Sequence, residues 1–278
     1  MLVGRPVMQS GSGPFGSGGA PLISCLLVTL PVPERLPLLQ RSIADYRRQT
    51  WHNRELVIVS NGGDPDSRAA ITACVNGLAQ ADIRLVEVPG ALRLGALRNI
   101  SIAEARGEVV CQWDDDDRYH PERLARQVEA MRADSGRANL LQEVMQYFVA
   151  DGLLFCTNWH GTDSRGKPGS LMCLRAESIA YDNSGPGSAF GEDRLVVQQL
   201  LADGRLGVLA GAPHLFIYVV HGHNSWNDSH HRMLVKRLAV SRGVLLRQEA
   251  ALRAGLAAFD FGAAPVTVQG YNGAAFKL

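Results

Sequence analysis

Between Trp113 and Arg118 the chain sets four carboxylates side by side, Asp114-Asp115-Asp116-Asp117. Adjacent carboxylates repel, which raises their proton affinity unless a cation neutralises them. Hard oxygen ligands of this kind suit Mg2+ or Mn2+, ions that complete their shells with water and substrate phosphates. The same residues also read as a solvated acidic turn that caps a helix beginning near Pro121. A second acidic pair, Glu192-Asp193, opens an amphipathic segment, where carboxylates offset a helix dipole with no catalytic purpose. His221 and His223 lie in the polar stretch His221-Gly222-His223-Asn224-Ser225-Trp226, with His230 and His231 close behind. No cysteine is near and the spacing matches no common structural zinc pattern, which disfavours a dedicated zinc site. Trp159 and Trp226 have faces suited to stacking on a ligand ring and equally suited to ordinary packing.

The elements that must position these groups are legible from Pro21 onward. Leu22–Leu30 is a continuous apolar strand, and Glu34–Gln49 has helical spacing through Leu38, Leu39, Ile43 and Tyr46. Glu55–Ser60 reads as a second strand, then the turn Asn61-Gly62-Gly63-Asp64-Pro65 and a helix to about Ala79. Ile83–Val88 is a third strand, Leu94–Ala105 a helix and Glu108–Trp113 a fourth strand. Apolar strands joined by helical crossovers indicate a parallel sheet covered on both faces. Ligands in such sheets bind beyond the carboxyl ends of the strands. Those ends carry Thr29, Ser60-Asn61, Val88-Pro89 and the four aspartates. Further strands are expected at Leu140–Val149, Leu153–Thr157, Gly169–Arg175, Leu206–Leu209 and Leu215–Val220. Glu192–Leu201 is expected as a helix, and 228–253 as one or two helices.

Composition sets limits. The 278 residues carry 28 basic and 27 acidic side chains, a formal charge of +1. That balance gives no bulk attraction to nucleic acid. The 46% hydrophobic content permits a sizeable core. Residues 1–20, with six glycines and three serines, read as a flexible tail. Cys25, Cys74, Cys111, Cys156 and Cys173 are scattered and odd in number, which points to a reducing compartment. The first apolar run is too short to span a membrane and lacks a signal-peptide flank. The expected location is cytoplasmic, with room for a peripheral position at the inner face of the membrane.

Three ordered motif pieces carry a resemblance. Cys25–Thr29 is followed by Gln49-Thr50-Trp51 and Arg54-Glu55-Leu56-Val57-Ile58-Val59. Leu94-Gly95-Ala96-Leu97-Arg98-Asn99 runs on to Ala105-Arg106-Gly107-Glu108. Asp114–Asp117 is followed by Pro121 and Leu124. Together these pieces, over about 100 residues, resemble the family 2 glycosyltransferases. The resemblance implies a GT-A, Rossmann-like α/β fold with a mostly parallel central sheet, helices on both faces and a C-terminal helical extension. It implies a domain over 21–227, with a donor half at 21–133 and an acceptor half at 134–227, and the extension over 228–278. It implies transfer of a sugar from a nucleotide-diphosphate donor to an acceptor hydroxyl, inverting and assisted by Mn2+ or Mg2+.

Carried over residue by residue, Asp114 and Asp116 match the two aspartates of the family's D-x-D, with Asp117 next. The implied metal ligands are Asp114, Asp116, Asp117, His221 and His223. The implied donor contacts are Thr29, Arg35, Asn61, Arg98, Asn99, Asp114 and Asp115. Gly191-Glu192-Asp193 resembles the second acidic motif, which implies Asp193 as the base with Glu192 as its alternative. The family's D-D-G-S after the second strand is here Ser60-Asn61-Gly62-Gly63, and an asparagine both donates and accepts where an aspartate only accepts. A UDP-sugar is the implied donor, and a saccharide or lipid-linked molecule the acceptor. Basic residues Lys236, Arg237, Arg242, Arg247 and Arg253 among leucines suit a membrane contact, a homodimer contact or a solvated face. Two other readings compete: a non-catalytic sugar-nucleotide-binding protein, and a nucleotidyltransferase. The second would carry a glycine-rich loop where this chain has Leu30-Pro31-Val32-Pro33-Glu34-Arg35.

Overall fold

The computed structural model describes residues 19–134, 136–178, 180–183 and 191–278. Most of the tail expected over 1–20 lies outside the described residues. The first half alternates as its apolar pattern requires: β1 (Ile23–Thr29), α1 (Arg35–Arg47), β2 (Arg54–Asn61), α2 (Pro65–Gly77), β3 (Ile83–Val88), α3 (Leu94–Glu104) and β4 (Val109–Gln112). A two-residue β5 (Arg118–Tyr119) and α4 (Arg123–Ala133) follow the aspartates. Then come β6 (Ala138–Leu141), β7 (Glu143–Phe148), β8 (Leu153–Asn158), β9 (Met172–Leu174), α5 (Glu192–Ala202), β10 (Leu206–Leu209) and β11 (Phe216–Val220).

Seven strands form the central sheet in the order β10-β6-β9-β4-β1-β2-β3. All pairs are parallel except those of β9, which runs against β4 and β6. Alternate residues of β1 enter different cores. Ile23, Cys25 and Leu27 pack with Leu39, Ile43, Tyr46 and Ile71 of α1 and α2. Leu26 packs on the other face with Leu97 of α3 and with Val196 and Leu200 of α5. Covering both faces explains why the strand reads as an unbroken apolar run. The motif pieces are stapled to one another. Gln49 donates to His120 O at 2.8 Å and accepts from Leu124 N at 3.2 Å, and Thr50 N donates to Pro121 O at 2.8 Å. Buried Glu55 accepts from Ser24 Oγ at 2.6 Å and from Arg106 N at 2.7 Å.

Residues 138–148 depart from the single strand expected over Leu140–Val149. The run is divided at Gln142: β6 belongs to the central sheet, whereas β7 enters a second, six-stranded sheet in the order β13 (Gly273–Lys277), β12 (Thr267–Gly270), β8, β7, β11, β5. The segment from 228 carries three helices, α6 (Asp228–Leu238), α7 (Arg242–Arg247) and α8 (Glu249–Leu256). It then closes with an unexpected hairpin, β12 (Thr267–Gly270) and β13 (Gly273–Lys277), which pairs β12 in parallel with β8. Leu245, Leu252, Leu256 and Phe276 thereby bury the outer face of the second sheet with Met145, Leu154 and Ile217. Among the described residues no helix is long and apolar enough to cross a membrane.

Candidate functional site

A cleft of about 1210 Å3 opens at the carboxyl ends of β1, β2 and β4, bounded on its far side by the β8–β9 connection, α5 and α6. Gly63 lets the β2 turn close against β1. Its φ is +73° at neighbouring Gly62 and +71° at Gly63 itself, and a Cβ on Gly63 would sit 2.0 Å from Pro31 O. Only glycine tolerates both demands.

The acidic loop is clamped from beneath. Tyr119 Oη accepts from Asp114 N at 2.6 Å and donates to Asp114 O at 3.2 Å. Ser42 Oγ donates to Asp114 O at 3.0 Å and accepts from Trp113 Nε1 at 3.0 Å. Arg123, fully buried, lies over the rings of Trp113, Tyr119 and Phe216 and donates to Gln112 O at 3.0 Å. Backbone held this firmly gives each aspartate a separate direction.

The four carboxylates turn to different partners. Buried Asp115 accepts from Thr29 Oγ1 at 2.6 Å and pairs with Arg35. Burial, then the neighbouring Asp116, push its carboxyl up to about 7 against the pull of Arg35. Asp116 Oδ2 meets Arg35 Nη1 at 3.2 Å and His221 Nε2 at 3.1 Å. Burial raises its proton affinity, but the His221 hydrogen bond and the Arg35 charge outweigh that and hold it below the usual range. Asp117 turns to β11, accepting from Val219 N at 2.9 Å. Burial, then Asp116 and Asp114, raise its carboxyl well above the usual range. Asp114 Oδ1 accepts from Arg98 Nη2 at 3.0 Å.

Arg98 joins the two acidic motifs. Its Nε donates to Glu192 Oε1 at 2.7 Å while Nη2 holds Asp114. Burial disfavours its charge, yet the Asp114 and Glu192 carboxylates more than offset this and raise its pKa well above the usual value. Glu192 is only 3% exposed. Asp193, the next residue, is half-buried on the cleft wall. Burial, then the Glu192 charge, push its carboxyl up to about 6, with Lys167 and Arg98 pulling the other way.

Residues 28–153 match the family model described as Glycosyl transferase family 2. This stretch is a family 2 glycosyltransferase domain. Solved structures with the same GT-A fold include S. aureus TarS 1-349, at TM-score 0.55 and 12% identity, covering 71% of this chain and 60% of that one. The mannosyltransferase PcManGT from Pyrobaculum calidifontis, in complex with GDP-Man and Mn2+, matches at TM-score 0.55 and 14% identity, covering 84% of this chain and 64% of that one. TarS 1-349 in complex with UDP-GlcNAc matches at TM-score 0.55 and 11% identity, covering 84% and 66%. The chain thus spans less than two thirds of the length of each of these three proteins. No curated protein matches the sequence.

Within this glycosyltransferase fold the structure gathers Thr29, Arg35, Asn61, Arg98, Asp114, Asp115, Asp116, Asp117, Glu192 and Asp193 around one cleft. His221 reaches that group through Asp116. Asn99 is placed elsewhere: Nδ2 donates to Tyr181 O at 2.9 Å and Oδ1 accepts from Tyr181 N at 2.8 Å, so it fixes the backbone at Tyr181. His223 is exposed, and its backbone N–H donates to His221 Nδ1 at 3.3 Å. Asn61 lines the cleft with every polar atom in use, donating to Val88 O and Gly90 O, each at 2.9 Å, and accepting from Leu92 N at 2.9 Å. An aspartate could make only the last of these bonds. Asn61→Asp should therefore lower stability by about 1–3 kcal/mol, read as a reduced denaturation midpoint in urea.

Among the described residues no cluster of three or more His, Cys, Asp or Glu side chains is poised around a single ion. The reading of the sequence did not single out Lys167, Tyr218 or Gln112, which also line the cleft. Lys167 lies in Gly166-Lys167-Pro168-Gly169, where turn residues signal only a loop. Tyr218 sits in an apolar strand that gives no sign of which face it presents.

Proposed function

We propose that the cleft transfers a sugar from a nucleotide-diphosphate donor to an acceptor hydroxyl in one inverting displacement. The observation that carries this reading is Asp193. Its carboxylate lines the same cleft as the acidic loop, has a raised pKa, and is coupled to that loop through the Glu192–Arg98–Asp114 bridge. A general base works best when its pKa approaches the working pH. The acceptor hydroxyl gives its proton to Asp193, and its oxygen bonds to the anomeric carbon as the bond from that carbon to the donor diphosphate breaks. The donor lies at the carboxyl ends of β1, β2 and β4, where open α/β sheets bind ligands, and Arg35 holds Asp115 and Asp116 in fixed positions there. Fixed side chains incur no reorganisation cost as charge moves. Glu192 acts through Arg98 and keeps Asp193 raised. UDP is the first donor base to test, since TarS was solved with UDP-GlcNAc and PcManGT with GDP-Man.

A divalent ion fits part of the expected donor set. Asp116 Oδ2 and His221 Nε2 are 3.1 Å apart, close to the roughly 3 Å between neighbouring ligands of an octahedral ion with bonds of about 2.1 Å. A mixed carboxylate and imidazole pair suits Mn2+ better than Mg2+. Asp116 and His221 would hold the ion, with substrate oxygens and water filling the remaining positions. Bound there, it would supply Lewis-acid stabilisation of charge on the departing diphosphate. Five free thiols, four of them buried, support a reducing, cytoplasmic setting.

The test is thermal stabilisation by UDP-, GDP-, CMP- and dTDP-sugars, with and without Mn2+. One donor should raise Tm, because a ligand at 100 times its Kd stabilises by about 2.7 kcal/mol. Asp116→Asn should remove the Mn2+-dependent part of the shift. Folded protein that no donor stabilises would overturn the reading.

A further inference from the structure

The cations of the cleft fall into two sets. Arg35 is committed to Asp115 and Asp116, Arg98 to Asp114 and Glu192, and Arg194 to Asp163 at 3.2 Å. Lys167 and Arg237 line the same cleft, and among the described residues neither meets a carboxylate at ion-pair distance. Lys167 is not loosely placed. Its backbone N donates to Leu141 O at 2.8 Å, and its carbonyl accepts from Ser170 N at 3.0 Å and Ser170 Oγ at 2.6 Å. Gly166 before it is buried, and a Cβ there would come within 2.6 Å of Leu140 Cβ. The half-buried ammonium lies 4.3 Å from the Tyr218 ring centroid and 5.1 Å from that of Trp159.

Aromatic faces fix a cation in direction without neutralising it. Lys167 is thus held by two rings and by no carboxylate at ion-pair distance among the described residues, beside the base. Its field reaches Asp193 and Asp117 on one side and His230 and His231 of α6 on the other. On that second side Trp226 and His230 stack with centroids 4.3 Å apart and planes 18° from parallel, with Trp226 43% exposed. Arg237 follows on α6. This wall combines flat apolar faces with uncommitted positive charge. The opposite wall, where the donor is placed, has its cations spent on aspartates.

We propose that Lys167 is the anion-recognising residue of the acceptor subsite, and that the acceptor is a saccharide bearing a carboxylate or phosphate close to its attacking hydroxyl. The inference rests on the glycosyltransferase reading and narrows its substrate class. The anion accepts from the Lys167 ammonium, Arg237 extends the positive wall, and a sugar ring lies against Trp226 or Trp159. A charge-assisted contact of this kind is worth about tenfold or more in affinity.

Trp159 and Trp226 report on this wall directly, so quenching of tryptophan fluorescence measures the effect without turnover. Glucose, glucuronate and glucose 6-phosphate are titrated into the full chain with UDP and Mn2+ present. Glucuronate or glucose 6-phosphate should bind about tenfold or more tightly than glucose, and the preferred one identifies the anion. Lys167→Met should erase that preference and leave UDP affinity within about twofold, while Lys167→Arg should retain it. The melting temperature of each variant verifies that it is folded. The proposal is overturned by three sugars that bind alike or not at all, or by a preference that survives Lys167→Met. A tenfold loss of UDP affinity in Lys167→Met would also overturn it, by assigning the ammonium to the donor diphosphate. Wild-type protein that binds UDP without preferring anionic sugars sinks this inference alone. Failure to bind any nucleotide of the donor panel sinks the reading beneath it.

Discussion

Asp193→Asn should lower the transfer rate by about 10²- to 10⁴-fold, the usual contribution of a positioned base, and leave donor affinity unchanged. Asparagine fills the same space and cannot take a proton. The wild-type pH profile supplies a second readout. The Asp193 carboxyl sits at about 6 because burial and the Glu192 charge favour its neutral form, and in the proposed reaction the ionised form is the base. kcat/KM should therefore fall as pH drops through about 6, and the residual rate of the variant should lack that limb. The stability effect has a definite sign. A carboxyl that ionises later in the folded protein than in the unfolded chain loses stability as pH rises from its unfolded value through about 6. At neutral pH the variant should thus be as stable as wild type or more so, which separates lost chemistry from lost folding. A variant with near-normal kcat and an unchanged acid limb would remove Asp193 from the mechanism.

Arg98→Met carries the largest expected stability effect. The guanidinium is 7% exposed and Glu192 3%, and the pair is 2.7 Å apart. Removing one partner of a buried pair leaves an uncompensated charge and costs about 3–5 kcal/mol. Asp114, 25% exposed at its side chain, recovers solvent and adds less. Chemical denaturation of wild type, Arg98→Met and the double variant Arg98→Met/Glu192→Leu measures this. The double variant should be the more stable of the two, because replacing both members with apolar groups removes the stranded charge. If the single variant loses less than about 1 kcal/mol, the pair behaves as a surface ion pair and the bridge between the acidic motifs has no structural weight. Arg98 also pulls the Asp193 pKa down, so any activity left in Arg98→Met should show its acid limb moved to higher pH.

Much of the central sheet was legible in the sequence because its determinants are local. Ile83–Val88 and Leu206–Leu209 occupy the expected residues, and β1, β2 and β4 lie within one or two residues of theirs. An apolar run buried on both faces announces itself without knowledge of its partners. The location of the four aspartates at the ligand-binding edge followed from the strand before them, as did the Glu192-Asp193 pair at a helix start. Local pattern could not decide which sheet a strand joins. Ala138–Leu141 and Glu143–Phe148 read as one run, and only the pairing partners β9, β10, β8 and β11 divide it at Gln142. The closing hairpin, short and rich in glycine and alanine, owes its place to β8 and to the apolar faces of α7 and α8.

Tertiary structure also decided what each aspartate does. Four identical side chains in a row carry no mark distinguishing Asp115, turned to Thr29 and Arg35, from Asp116 against His221 or Asp117 against β11. Their partners lie 80 to 105 positions away in the chain. Glu192 and Asp193 are likewise equivalent until Arg98 claims the first and leaves the second facing the cleft. The sequence by itself determined that carboxylates gather at one edge of a parallel sheet. The tertiary structure decided which of them pair with a cation and which are raised in proton affinity, because proton affinity is set by burial and by charges that only folding brings within reach.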